Sequence, residues 1–518
     1  MRQRRRLIGA VALVLLIGLL GAPLLALLTA GLDGREVAAG AYLWDVTRFT
    51  LLQAGLSAAL SVGLAVPVAL ALAHRPDLPG RRLLLRLFAM PMALPALVGV
   101  TGIVGIYGQA GLLSELAGWF ELTRFPSIYG LAGIVLAHVF YNLPLATLLL
   151  LARLEATPVE TWRIAVALGL GARDILRFID LPAIREVLPR ILSLVFMLAV
   201  ASFTIVLTLG GGPGATTLEV AIYQALRFDF DPGLAARLAI LQVAVSLLVA
   251  FAAGRSAVPM LVEAGTGKGR GRPQAGSRWR DGAIIGLAAV FVLGPLAAVV
   301  AGGLSRSLPS LLVDPLVMRA LATSLVIGIA AACLGLIAAY ALALAAAAGP
   351  ARFYDVVSLV TLVVPSVVIA AGWYLLAHRL GVAGWATAPL VVLLNVLMAI
   401  PYAASVLIPA VRALAERQDR LAVSLGLTGW RRFRLIDGPL LKRQMALAFG
   451  LAGLVSLGDL GIIAIFGGDG LVTLPLLLYQ RLGSYRTGDA DALALVLMAL
   501  TLALAWMLPR SVAGDPTP

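Results

Sequence analysis

One polar stretch occurs twice in this chain. Residues 163–182 read RIAVALGLGARDILRFIDLP, and residues 420–439 read RLAVSLGLTGWRRFRLIDGP. The offset is 257 positions throughout the match (163 to 420). Each copy is basic, yet each sits between long apolar runs. A polar segment kept twice, at the same place in each half, demands a duplicated fold. It is either a docking surface or a connector inherited with the duplication, and the length and detail of the match favour docking.

The surrounding composition fixes the medium. Hydrophobic residues make up 61% of the chain and charged residues 13%, against about 45–50% and about 25% in soluble domains. Apolar runs longer than about 18 residues are membrane helices, because a spanning helix pairs every backbone N–H and C=O within itself. The runs predict an all-α integral membrane protein with spans near 7–29, 50–73, 84–107, 128–153, 191–210 and 234–253. The second half adds 283–304, 319–347, 355–380, 386–411, 445–466 and 488–508. That makes twelve helices as six plus six: a first half at 1–253, a basic linker at 254–282 and a second half at 283–518.

Positive charge collects in cytoplasmic loops. With the N-terminus inside, the loops after even-numbered helices hold most of the Arg, including both copies of the repeat (within 160–190 and 416–443). The expected orientation is therefore N- and C-termini in the cytoplasm. An even number of helices separates the copies, so the halves are parallel repeats about an axis normal to the membrane. The formal net charge of +14 is explained by these loops, and nucleic acid is not an expected partner.

Several chemistries are excluded. The single Cys333 allows no internal disulfide and no Cys cluster. His74, His138 and His378 are scattered, so no metal centre is expected. GTGK at 265–268 lacks the upstream Gly and the following Ser or Thr of a phosphate-binding loop. Nucleophiles and acids do not gather, so an enzyme is not expected.

Within each copy the residues predict two short helices with a turn at Leu168–Gly171 or Leu425–Gly429. Pro182 and Pro439 then set the entry to the next span. Such a segment either presses apolar residues into a partner's groove or lies on anionic lipid. The spacing of Gly169, Ile179 and Pro182, repeated by Gly426, Ile436 and Pro439, resembles the EAA loop of ATP-binding-cassette (ABC) import permeases. Ala165 and Ala422 match the third position of that motif. The Glu position is Arg163 and Arg420, a departure that puts any role of that acid in doubt. Segments 42–61, 130–146, 202–232, 397–403 and 456–467 resemble bacterial thiamine permeases. Fused permeases for ferric iron share the duplication and the loop.

This resemblance implies a type I ABC-importer permease (MetI-like) fold in the bacterial inner membrane. It implies a periplasmic binding protein that delivers substrate and an ATPase dimer docked on the two loops. It further implies that ATP is used by that partner and that no cofactor is bound by this chain. The docking candidates are Ala165, Gly169, Gly171, Ala172, Arg173, Ile179 and Pro182, with Ala422, Gly426, Gly429, Trp430, Ile436 and Pro439. For the path, Asp459 is either an acid that lowers the barrier for cationic thiamine or a structural acid capping a broken helix. Glu219, Tyr223 and Tyr479 either line the path, where aromatic faces suit a cationic ring, or belong to the interfacial belt. A proton-coupled secondary transporter is the competing class, disfavoured by the scarcity of buried acids.

Overall fold

The computed structural model describes residues 2–32, 39–120, 127–253, 272, 277–304, 308–349, 354, 364–468, 470–484 and 486–507. Among these residues the chain is helical, with no strand beyond an isolated bridge between Gly468 and Leu471. Ten helices are long and apolar enough to cross a membrane, or eleven if the bent pair Ala172–Val200 and Phe203–Leu209 counts as one span. Large apolar side chains such as Val14, Leu287, Val290 and Val326 stand exposed on these helices, as a lipid-facing surface requires.

The expected count of twelve differs for local reasons. The run at 84–107 is broken at Leu94 and Pro95, giving helices Arg81–Ala93 and Ala96–Tyr107. Leu94 is extended because the ring of Pro95 excludes the helical conformation from the residue before it. Pro365 begins helix Ser366–Arg379 with the same geometry as Pro95 (φ −60°, ψ 147° against φ −55°, ψ 143°). The span expected at 355–380 lies outside the described residues up to 363, and so does most of the linker at 254–282. The spans expected at 191–210 and 445–466 are also broken. Ala201 and Ser202 interrupt the first, bending it by 56°. Gly458–Leu460 interrupts the second at the corresponding place.

The two halves interlock. The first helix, Arg2–Leu32, packs against Pro315–Ala346 and Ser366–Arg379 of the other half. Its counterpart Arg278–Gly303 packs against Ala96–Tyr107 and Ala39–His74 of the first half. Glycine makes both crossings possible. A Cβ on Gly102 would overlap the backbone carbonyl of Pro295, and one on Gly372 would overlap that of Pro23. Small residues let membrane helices approach this closely. Polar bonds seal the first crossing: the Trp373 indole donates to the Leu19 carbonyl at 3.0 Å, and Arg379 donates to Thr29 Oγ1 at 2.9 Å.

Gly102→Val and Gly372→Val should each cost about 1–3 kcal/mol by overpacking. Thermal unfolding of the solubilised protein should show both melting earlier. Gly18→Ala, which adds its Cβ where nothing lies within 4 Å, should melt with the parent.

A further duplicated bond pins the outer segments. Thr50 Oγ1 accepts from the Leu218 amide at 3.0 Å, at the start of helix Leu218–Arg227. Ser324 Oγ accepts from the Leu474 amide at 2.8 Å, at the start of Leu474–Gly483. In both cases a hydroxyl on a long membrane helix satisfies an amide that the helix itself leaves open.

Candidate functional site

Both copies of the repeat fold alike. Helix Val159–Ala167 ends at Gly169 (φ 63°), and helix Ala383–Ser424 ends at Gly426 (φ 62°). The Leu170 amide donates to Ala165 O at 3.0 Å and the Gly169 amide to Val166 O at 3.0 Å. Leu427 to Ala422 (2.8 Å) and Gly426 to Val423 (3.1 Å) repeat the pair. This is a Schellman turn, and its left-handed residue favours glycine because glycine has no Cβ to clash. Gly429 also has positive φ (56°).

A single helical turn follows in each copy, Ala172–Ile175 or Gly429–Arg432. A five-residue π turn comes next, Leu176–Asp180 or Phe433–Asp437. The chain then runs unbroken into the membrane helices Leu181–Val200 and Gly438–Leu457. The turn and the membrane helix are therefore one continuous helical stretch in each half.

Each loop is anchored by a buried acid at the end of its π turn. Asp180 and Asp437 hold the same repeat position and are 1% and 4% exposed. Arg272, ahead of helix Arg278–Gly303, donates to Asp180 at 2.7 Å and lies 4.9 Å from the ring centroid of Trp162. Asp437 accepts from Arg432 Nε at 3.1 Å and from the Tyr340 hydroxyl at 2.7 Å. Arg432 also pairs with Asp419 at 2.7 Å. Arg5 holds Asp419 in a fork, at 2.8 and 2.9 Å. The crossing of the first helices is thus repeated in their leading arginines, since each grips the loop of the opposite half.

Each loop exposes large apolar side chains among its arginines. Ile164, Val166, Leu168 and Phe178 are 61–69% exposed. Their counterparts Leu421, Val423, Leu425 and Leu435 are 51–62% exposed, and Trp430 is 72% exposed. Four positions match at the offset of 257. Apart from Trp430, these residues were absent from the expected docking set. The usable signal was apolar residues alternating at 164, 166 and 168, a spacing that does not put them on one buried helical stripe, recurring in the second copy.

The expected residues divide. Ala165, Ala422 and Ile436 are buried and shape the loop, and Ile179 is half-buried beside Trp162 and Ile175. Gly169, Gly171, Ala172, Arg173, Pro182, Gly426, Gly429, Trp430 and Pro439 are exposed. Arg163 and Arg420, at the motif's Glu position, are exposed as well.

The path candidates are spread out. Asp459 sits in the break before helix Gly461–Phe466, and its Oδ1 accepts from the Ile462 amide at 3.3 Å. Glu219 and Tyr223 lie buried on helix Leu218–Arg227. Tyr223 meets Phe203 and Phe228 edge to face. Helix Leu218–Arg227 packs on Gly461–Phe466, and Arg227 donates to Gly467 O at 3.0 Å. Tyr479 packs half-buried against the main core.

Two segments, 65–257 and 331–510, match the family described as binding-protein-dependent transport system inner membrane component. Each segment contains one copy of the loop. This chain belongs to that family. It is a multi-pass membrane protein and a transport subunit. Its similarity to individual members spans nearly its whole length. The thiamine transport system permease protein ThiP of Brucella melitensis biotype 1 is 46% identical over 517 residues, covering 98% of this chain and 95% of that one. The protein of the same name from Escherichia coli K12 is 41% identical over 472 residues, covering 89% and 88%. The molybdenum transport system permease protein ModB of Mycobacterium bovis is 29% identical over 206 residues, 39% of this chain.

Proposed function

We propose that this chain is the permease subunit of an ABC importer that carries thiamine across the bacterial inner membrane. The observation that carries the ATPase part is the set of exposed apolar side chains on the loop, presented twice in one chain at corresponding positions. A duplicated projection fits a two-fold ATPase dimer with one subunit on each loop. ATP-driven closure would press both turns, and the unbroken connection to Leu181–Val200 and Gly438–Leu457 would move the membrane helices. Hydrolysis belongs to the separate subunit, so this chain needs no nucleotide site. Both loops and both termini would face the cytoplasm, and a periplasmic binding protein would deliver substrate at the other side.

Thiamine rests on the near full-length similarity to thiamine permeases. Its thiazolium ring carries a fixed positive charge, which the aromatic rings of Tyr223 and Tyr479 would suit. The test is uptake in proteoliposomes holding this chain with its ATPase and binding protein. The expected result is ATP-dependent thiamine uptake that excess ferric iron does not reduce. Iron uptake without thiamine uptake would overturn the substrate, and uptake that needs a proton gradient and no ATP would overturn the class.

A further inference from the structure

Beside the break at Asp459 lies a small cavity of about 10 Å³, lined by Ser324, Asn395, Ser456, Asp459 and Thr473 among others. That is room for one water-sized particle. Four side-chain oxygens at this cavity have no hydrogen-bond partner among the described residues: Asn395 Oδ1, Ser456 Oγ, Asp459 Oδ2 and Thr473 Oγ1. Asn395, Ser456 and Thr473 are each more than nine-tenths buried. Buried polar groups without partners are costly, and a carboxylate within a membrane bundle is costlier still.

The donor set is specific. Asp459 Oδ2 and Asn395 Oδ1 only accept, and both need a donor or a positive charge. One of the two Asn395 Nδ2 hydrogens donates to the Val391 carbonyl at 3.0 Å. Ser324 Oγ takes the Leu474 amide and keeps a second lone pair. Every ligand is a hard oxygen, and one of them is a carboxylate. No group of three His, Cys, Asp or Glu that could hold a metal occurs among the described residues. Asp459 is the one carboxylate lining the cavity, and a single positive charge would balance it.

The C-terminal end of helix Gly438–Leu457 stops at the same point, and its carbonyl dipole favours a cation there. Broken helices supply ion sites of this kind in membrane transporters. The first half keeps only part of the set. At the offset of 257, His138 replaces Asn395, Ala199 replaces Ser456 and Ser202 replaces Asp459. His138 instead bonds Ser57 at 2.9 Å. Thr217 and Thr50 correspond to Thr473 and Ser324, so it is the carboxylate, the amide and the Ser456 hydroxyl that belong to the second half alone.

We infer that this cavity binds a single dehydrated monovalent cation of sodium size, held by Asp459, Asn395, Ser456, Thr473 and Ser324. A thiazolium ring does not fit a space of one water, so the ion is not the proposed substrate. Its role is to neutralise Asp459 and tie the broken helix Gly438–Leu457 to Ala383–Ser424 and Leu474–Gly483.

The test is thermal unfolding of the purified full chain in NaCl against choline chloride at equal ionic strength. The expected result is a saturable rise in melting temperature with sodium, as for any ligand that binds only the folded state. Asp459→Asn should lose the sodium-dependent rise, and Thr473→Val should weaken apparent sodium affinity about tenfold. Ser57→Ala, in the first half, should keep the full effect. Identical curves in sodium and choline for the parent would overturn the site, leaving a bound water or a protonated acid. A sodium effect that survives in Thr473→Val at parental affinity would overturn it too, even if Asp459→Asn fails to fold.

Discussion

Arg432→Ala is expected to destabilise the folded protein by about 3–5 kcal/mol. Arg432 is buried between two acids. It donates to Asp437 at 3.1 Å and pairs with Asp419 at 2.7 Å. Removing it leaves Asp437, 4% exposed, with the Tyr340 hydroxyl as its remaining hydrogen-bond donor among the described contacts. Breaking one side of a buried pair strands the other charge away from water, and that stranded charge is the source of the cost. Asp419 keeps the fork from Arg5, so the damage should concentrate at the end of the π turn. Arg434→Ala is the matched control. Arg434 is exposed two residues away, and its loss should stay within about 0.5 kcal/mol. Thermal unfolding of both variants measures the difference. Equal melting of the two would show that the buried network does not hold the loop.

The second large effect falls on the partner. Val166→Asp and Val423→Asp place charges among the apolar side chains of each loop, at positions 61% and 62% exposed. Folding should be unaffected, because neither side chain is in the core. Binding of the ATPase should weaken by about 2 kcal/mol per loop, the size of an interface hot spot, or roughly 30-fold at each site. With one loop intact the second site still contributes, so a single variant should keep measurable association. The double variant should lose it, while purifying at the parental melting temperature. Normal association by the double variant would remove these residues from the interface.

How much of this was legible beforehand follows from the range of each signal. The duplication, the apolar spans and the Gly–Ile–Pro spacing are sequence patterns; the structure carries the duplication and the spacing, with ten or eleven candidate spans among the described residues in place of twelve. The break at Pro95 was also local, since proline constrains the residue before it. The apolar length of 84–107 hid it. The proposed docking face was partly legible. Ala165 and Ile436 belong to the repeated pattern, but they are buried, and the exposed residues are their neighbours. A match between copies marks what is kept without showing which way it points. The crossing of the first helices was not legible. Gly102 meets Pro295, and Arg5 meets Asp419 at a separation of 414 residues. Such pairings depend on packing of the whole bundle. Asp459 was legible as a costly buried acid. Its two oxygens serve different ends, one capping Gly461–Phe466 and one facing a cavity, and only the folded chain separates them.

The central claim is that both repeated loops face the ATPase at once. Site-specific cross-linking tests it most directly. In a Cys333→Ala background, single cysteines at 166, 423 and 119 would be reacted with a short bifunctional reagent in membranes containing the ATPase. Trp119 is exposed at the end of helix Leu112–Trp119, one span away from the first loop. The expected result is a cross-link to the ATPase from position 166 and from position 423, and none from 119. A cross-link from only one loop, from neither, or equally from 119 would contradict the account.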